Sequence, residues 1–202
     1  IGVSSTLCKY LLLPYLKEFI RQNPHISISI TCQSTNDTLK LLEDNKIDIG
    51  LIGKPGSLKN IHFDFLEEIE DIFVATKDYL RNLKARGVTK NQILQSSTLM
   101  LLDKNNMTRQ YIDDYLQENQ IQVRDSIDIS NMDLLIDFAR ISVGVACVIK
   151  NFVKEDLEIG ALIEIPLGIP IHKREVGFAY KTNIHPSKSL SDFIEFYQNY
   201  SK

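Results

Sequence analysis

Short apolar runs alternate with stretches of helical spacing along this chain, and a cluster of Ser, Thr or Asn stands at the change from strand to helix. Strands separated by helices do not pair as tight hairpins. They pair in parallel through right-handed crossovers, so the chain is expected to build mainly parallel sheets covered by helices. Ile1–Val3 reads as a buried strand running into Ser4-Ser5-Thr6. A helix follows with Leu12, Tyr15, Leu16, Phe19 and Ile20 on one face, and Asn23-Pro24 ends it. Pro14 has no backbone donor, so it belongs in the first turn of that helix or at a kink. Ile26, Ile28, Ile30 and Cys32 then alternate with Ser27, Ser29, Thr31 and Gln33, as in a strand at a sheet edge. Ser34-Thr35-Asn36 opens the next helix, which carries Leu39, Leu41 and Leu42, and Lys46–Gly53 is a turn followed by a strand.

Ile61–Thr76 holds two more extended pieces, and Lys77–Gln95 reads as a surface helix and connector. The order then restarts. Thr98–Leu102 is a strand, Asn106–Gln117 a helix, Ser126–Ile129 a strand and Asn131–Arg140 a helix. Ser130-x-x-Asp133 has the spacing of a capping box. Strands are expected at Val145–Ile149, Leu162–Ile165 and Glu175–Tyr180, and Pro186 introduces a last helix with Leu190, Phe193, Ile194 and Tyr197 inward.

In an open parallel sheet, ligands bind beyond the carboxyl ends of the strands. The junctions Ser4-Ser5-Thr6, Ser34-Thr35-Asn36, Asn105-Asn106 and Ser130-Asn131 all fall there. Helix N-termini present unpaired N–H groups and partial positive charge, so they attract anions. Capping alone accounts for any single junction, because Ser, Thr and Asn are the preferred N-cap residues. The first junction differs: a cap needs one hydroxyl, and Ser4-Ser5-Thr6 supplies a surplus.

Other functions find little support. The formal net charge of −3 offers no basic footprint for nucleic acid. No apolar run reaches the ~18 residues that suggest a bilayer span. Cys8, Cys32 and Cys147 are odd in number and widely spaced, which argues against a disulfide framework and suits a reducing cytosol, with a redox role for one of them left open. His25, His62, His172 and His185 lack metal-ligand spacing, so neither metal nor cofactor is expected. There is no Gly-x-Ser-x-Gly elbow and no phosphate-binding Gly-Lys-Ser/Thr loop, so no catalytic residue is assigned. Glu67-Glu68-x-Glu70-Asp71 reads as a solvated acidic loop, with cation binding as the less common alternative, and Asp113-Asp114 as an exposed helix face. Lys104 and Arg109, near the third junction, either pair with an anion or are solvated surface charges. The chain starts in strand-like sequence without Met, so it is expected to be a piece of a longer one.

Four pieces together resemble the effector-binding domain of LysR-type transcriptional regulators. The first is Ile1-Gly2-x-Ser4-Ser5-Thr6 with Leu12-Leu13-Pro14-x-Leu16-x-x-Phe19 and Pro24. The second is the alternating strand, the Ser34 junction and Leu42-x-x-x-x-Ile47-Asp48-Ile49-Gly50-Leu51. Met107-Thr108-Arg109 opening a helix is the third. The fourth is Ser130 with Asp133-Leu134-Leu135-x-x-Phe138-Ala139-Arg140-x-x-Val143-Gly144-Val145-Ala146. The resemblance covers essentially the whole chain. Ser142 departs from it, standing where the family usually has Gly.

The resemblance implies an α/β fold of two Rossmann-like subdomains of periplasmic-binding-protein type II, joined by two crossover segments. These are placed at residues 1–74 plus 167–202 and at 75–166. It implies a small polar or anionic effector in the cleft between subdomains. The matching contact positions are Ser4, Ser5, Thr6, Leu7, Ser34, Thr35, Asn36, Leu102, Asn106, Met107, Thr108, Ser130, Asn131 and Met132. Implied too are a dimer through the 26–33 strand and the 37–43 helix, a tetramer in the full-length regulator, and contact with DNA only through an amino-terminal winged helix-turn-helix outside this chain. The expected setting is cytoplasmic, with no membrane contact. A transporter's solute-binding protein with the same fold is the alternative.

Overall fold

The computed structural model describes residues 1–56, 60–182 and 185–200. The chain divides into two compact units, Ile1–Glu68 with Arg174–Lys202, and Ile69–Lys173. The boundaries drawn from sequence, after residues 74 and 166, are displaced from these. Strand β5 (Asp71–Ala75) pairs with strands of the second unit, and that pairing carries the first boundary back to residue 68.

In the first unit, β1 (Gly2–Val3) leads into α1 (Ser5–Leu7), a π turn (Cys8–Leu12) and α2 (Leu13–Gln22). β2 (Thr31–Cys32), α3 (Thr35–Glu43), β3 (Gly50–Gly53) and β4 (Ile61–Ile69) follow. The π turn answers the question posed by Pro14. An α-helical turn here would ask Pro14 for the N–H it lacks. Instead the Leu13 N–H reaches back to Cys8 O, and Pro14 sits in the first turn of α2.

The second unit runs β5, α4 (Lys77–Ala85), α5 (Ile93–Ser96), β6 (Thr98–Leu102), α6 (Met107–Glu118), β7 (Asp125–Ile129), α7 (Met132–Arg140), β8 (Val145–Ile149), α8 (Lys154–Glu158) and β9 (Ile163–Glu164). The chain then returns to the first unit as β10 (Arg174–Lys181) and α9 (Lys188–Tyr200). The strand orders are β2-β1-β3-β10-β4 and β7-β6-β8-β5-β9. Each sheet has a parallel trio, β2-β1-β3 or β7-β6-β8. Each is then joined by antiparallel strands: β10 on β3, and β5 on β8 with β9 beyond it. The sheets are therefore mixed, because β10 and β5 are the strands next to the points where the chain passes between units.

β2 lies at the sheet edge, but only Thr31–Cys32 pairs, and both residues are exposed. The preceding Ile26–Ile30 is irregular. The acidic run is strand rather than loop: Glu67 and Glu68 lie in β4, and Asp71 in β5 is 2% exposed.

Helices cover both faces of the first sheet. On one, Phe178 of β10 meets Tyr15 of α2 at 6.0 Å and stacks on Tyr197 of α9 at 4.3 Å. Phe19 and Phe193 close the cluster edge to face at 5.0 Å. Such pairs are worth ~0.5–1.5 kcal/mol each beyond the area they bury. On the other face, Leu42 of α3 packs with Ile52 and Ala179. α3 lies close because β1 and β3 present glycine beneath it: a Cβ on Gly2 or Gly50 would meet Thr38 Cγ2 at 2.8 or 2.6 Å. In the second unit, Phe73, Leu99, Leu101, Ile112, Leu116 and Val145 form the main core.

Asp64 of β4 ties α9 to the first sheet. Its Oδ2 accepts from the Tyr197 hydroxyl at 2.6 Å and from Gln198 Nε2 at 3.1 Å, and its Oδ1 meets His62 Nε2 at 2.7 Å. Partial burial works against the charge, but the bonds from Tyr197, His62 and Gln198 prevail and hold the carboxyl below its ordinary pKa. A depressed folded-state pKa gives stability that is present above the unfolded value and lost as pH falls through the folded one. Asp64→Ala is expected to lower stability by about 1–3 kcal/mol at neutral pH, a gap that narrows below about pH 4 in urea titrations.

Helix ends explain the departure at Ser142. Ser142 has φ +65° at the end of α7. Its N–H donates to Ala139 O at 3.0 Å and the Val143 N–H to Phe138 O at 3.1 Å, the two bonds of a Schellman motif. Glycine would occupy this conformation without strain; serine sits there at a cost of about 1–2 kcal/mol. Its hydroxyl bonds that of Thr76 at 2.6 Å, and Thr76 Oγ1 in turn caps α4 by accepting the Tyr79 N–H. The serine thus couples the end of α7 to the start of α4. Ser142→Ala keeps the strain and loses the bond, so a loss of about 1–2 kcal/mol is expected in urea denaturation, with a smaller loss for Ser142→Gly.

Candidate functional site

The parallel trios decide where the polar junctions lie. Val3 pairs with Cys32, so the chain leaves β1 and β2 at the same end of the sheet, on neighbouring strands. Leu102 likewise pairs with Ile129 at the ends of β6 and β7. Each unit therefore sets two strand-to-helix junctions side by side: Ser4–Leu7 with Ser34–Asn36, and Leu102–Thr108 with Ser130–Met132.

At each junction one side chain caps the helix. Ser4 Oγ accepts the Leu7 N–H at 3.2 Å. Ser34 Oγ accepts the Asp37 N–H at 3.1 Å and donates to Asp37 Oδ2 at 2.7 Å. Asn106 Oδ1 accepts the Thr108 N–H at 2.9 Å, and Asn131 Oδ1 the Leu134 N–H at 3.0 Å. The cap of α7 is therefore Asn131, one residue after the Ser130 that the capping-box spacing suggested. Bonding of Asn131 to Leu134 uses the same three-residue step, displaced by one.

Capping thus accounts for Ser4, Ser34, Asn106 and Asn131. Among the described residues, Ser5, Thr6, Asn36 and Ser130 have no side-chain hydrogen bond, and Ser5, Asn36 and Ser130 are exposed. Capping therefore leaves these four side chains unbonded. Thr35 is buried, while Met107 and Thr108 are half-buried in the first turn of α6. Leu7, Leu102 and Met132 have buried side chains, so they shape the junctions from beneath. A concavity of the first unit lined by Asp48, His62, Tyr180, Lys181 and His185 includes none of the predicted positions.

Arg109 is neither a solvated charge nor an open anion site. It is 6% exposed. Nη1 donates to Leu102 O at 2.8 Å and to Asp128 Oδ1 at 2.5 Å, and Nε to Asp113 Oδ1 at 2.8 Å. One guanidinium thus fastens α6 to the ends of β6 and β7 and fixes the third junction against its neighbour. Asp113 gains a partner that its exposed position did not reveal, although the four-residue step from Arg109 signalled it. Thr76 was also missed, because the reading of Lys77–Gln95 as connector hid the apolar-run-then-Thr pattern that marks a cap. Among the described residues no three His, Cys, Asp or Glu side chains gather as metal ligands, and no helix is long and apolar enough to cross a membrane.

A sequence model of the LysR substrate binding domain matches residues 1–202. The chain belongs to that family. The HTH-type transcriptional regulator YeiE of Escherichia coli K12 is 23% identical over 197 residues, which are 97% of this chain and 66% of that protein. The chain thus spans just under two-thirds of that relative. The regulatory domain of Synechocystis PCC6803 CcmR, solved in complex with 2-PG, has a TM-score of 0.84 at 15% identity, covering 100% of this chain and 95% of that one. The effector binding domain of QuiR with shikimate has a TM-score of 0.78 at 17% identity, covering 99% and 94%. These likenesses show the periplasmic-binding-protein type II fold of LysR regulatory domains.

Replacing Arg109 leaves the Leu102 carbonyl and two carboxylates without their shared donor. Arg109→Leu is expected to lower stability by about 2–4 kcal/mol in urea denaturation. Arg109→Lys recovers only part of this, since one ammonium cannot reproduce the three-way fork.

Proposed function

We propose that this chain is the effector-sensing part of a LysR-type transcriptional regulator and that its ligand is a small polar, anionic molecule. One observation carries the reading: in each unit, paired helix starts present uncharged donors that their own caps do not consume. Ser5, Thr6, Asn36 and Ser130 supply direct contacts, with the first-turn N–H groups contributing partial positive charge. The ligand-bound CcmR and QuiR domains support a small-molecule effector. Donors drawn from both units would give the effector different affinity for different arrangements of the domain, the requirement for any ligand-driven switch. The reading assigns no catalytic role and places the regulator in the cytoplasm.

The exposed edge strand β2, with Ile30 beside it 40% exposed, supports pairing of two chains along residues 26–33 and helix 37–43. DNA contact belongs to an amino-terminal helix-turn-helix beyond this chain.

A thermal-shift screen against carboxylates, amino acids and inorganic anions should identify ligands that raise the melting temperature. The double variant Ser5→Ala/Ser130→Ala spares every cap described above. It is expected to weaken binding of such a ligand about tenfold while leaving the unliganded melting temperature nearly unchanged. Unaltered affinity, measured by calorimetry, would remove these residues from the site.

A further inference from the structure

The concavity of the first unit that includes none of the predicted positions lies at the opposite rim of its sheet. β10 runs antiparallel to β3 with Ala179 level with Gly50. Continuing that register sets Lys181 level with Asp48, just before β3 begins. β4 starts on the other side of β10, where the Thr182 N–H donates to Asn60 O at 3.1 Å. The space between these strand ends measures about 560 Å³, within the ~300–1,000 Å³ of small-molecule sites. Opposite charges line it without meeting. Lys181 Nζ donates to two neutral acceptors, Glu43 O at 2.9 Å and Asn45 Oδ1 at 3.0 Å, so its charge and its third proton stay uncommitted. Asp48 is exposed, and among the described residues its carboxylate has neither a hydrogen bond nor an ion pair. The rings of His62 and Tyr180 stand 5.1 Å apart in the wall, and Ile47 and Leu190 add apolar surface. Asp64 fixes both rings, through His62 Nε2 at 2.7 Å and the Tyr180 hydroxyl at 3.3 Å.

We propose that this concavity is a second ligand site, for a free α-amino acid with an apolar or aromatic side chain. A zwitterion carries its ammonium and carboxylate on one carbon, so it can bridge two opposite charges that do not reach each other. The carboxylate accepts the third Lys181 proton, the ammonium donates to Asp48, and the side chain lies against the His62 and Tyr180 rings and Leu190. A plain carboxylate would face Asp48 with its own sign of charge, and a plain amine would do the same to Lys181. The pair therefore selects a molecule that carries both. Every contact comes from the first unit, and none of the lining residues belongs to segments 26–33 or 37–43. The site accordingly does not rest on the functional reading above, and pairing of chains along those segments does not use its residues.

The 202-residue chain is titrated by calorimetry with phenylalanine, leucine, phenylpropionate and phenethylamine. Phenylalanine and leucine are expected to bind, and the two analogues with a single charge to bind about tenfold more weakly or less. Asp48→Asn removes a charge but no hydrogen bond, and it should weaken phenylalanine binding about tenfold, as should Lys181→Gln. The double variant Ser5→Ala/Ser130→Ala should leave this binding unchanged. Backbone amide resonances of the unmodified chain should shift with phenylalanine at residues 45–48 and 180–182, and not at 4–7 or 34–36. That map decides the matter even if Lys181→Gln loosens the end of α3. Absence of both heat and resonance shifts at about 10 mM phenylalanine would overturn the proposal. So would equal binding of phenylpropionate, or loss of phenylalanine binding in the serine double variant. The last result would place the amino acid at the strand-to-helix junctions instead.

Discussion

Lateral hydrogen bonding of parallel strands is the constraint on which the rest of this molecule depends. β1 lies between β2 and β3, and β6 between β7 and β8, each bonded in parallel on both sides. A parallel partner can be reached only by a crossover, so helices must cover the sheet, and within each trio the strands must end at one rim. That rim gathers the helix starts, and with them the backbone N–H groups that no helix satisfies internally. Capping then draws on the few polar residues gathered there.

At each of these junctions capping falls to one of two adjacent polar positions. Ser4 caps while Ser5 and Thr6 do not; Asn131 caps while Ser130, just before it, does not. Each cap is thereby held by one side chain while its neighbour stays unbonded, so the neighbour is free to vary without loosening a helix. Arg109 adds rigidity beneath this arrangement by joining the ends of two strands to the helix that follows one of them. Its neighbours at the rim are consequently held by a charge already satisfied inside the protein.

Much of this was legible from residue order. Thr98–Leu102 and Val145–Ile149 stand as predicted, because buried central strands are unbroken apolar runs between clear helix boundaries. The junctions were legible for the same reason: Ser, Thr and Asn mark helix starts wherever they follow a strand. Direction of pairing was not, since nothing local in β5 or β10 tells which way its neighbour runs. The acidic stretch misled because charge suggests solvent, whereas Asp71 is enclosed by its sheet. Ser142 was legible only as an anomaly; its partner Thr76 is 66 residues away, a contact that spacing cannot announce.

The π turn at Cys8–Leu12 carries one residue more than an α-helical turn of comparable height. In angular terms, that surplus offsets everything before it by about 100° around the helix axis relative to everything after it. Ser5 and Thr6 therefore stand at a different azimuth from the one an uninterrupted helix would set relative to Leu16 and Phe19, which anchor the same run in the core. Loss of a single residue from this stretch would leave the anchor in place and swing the hydroxyls around the cylinder. Here the number of residues in one turn, as much as their identity, sets the direction in which the rim's donors are aimed.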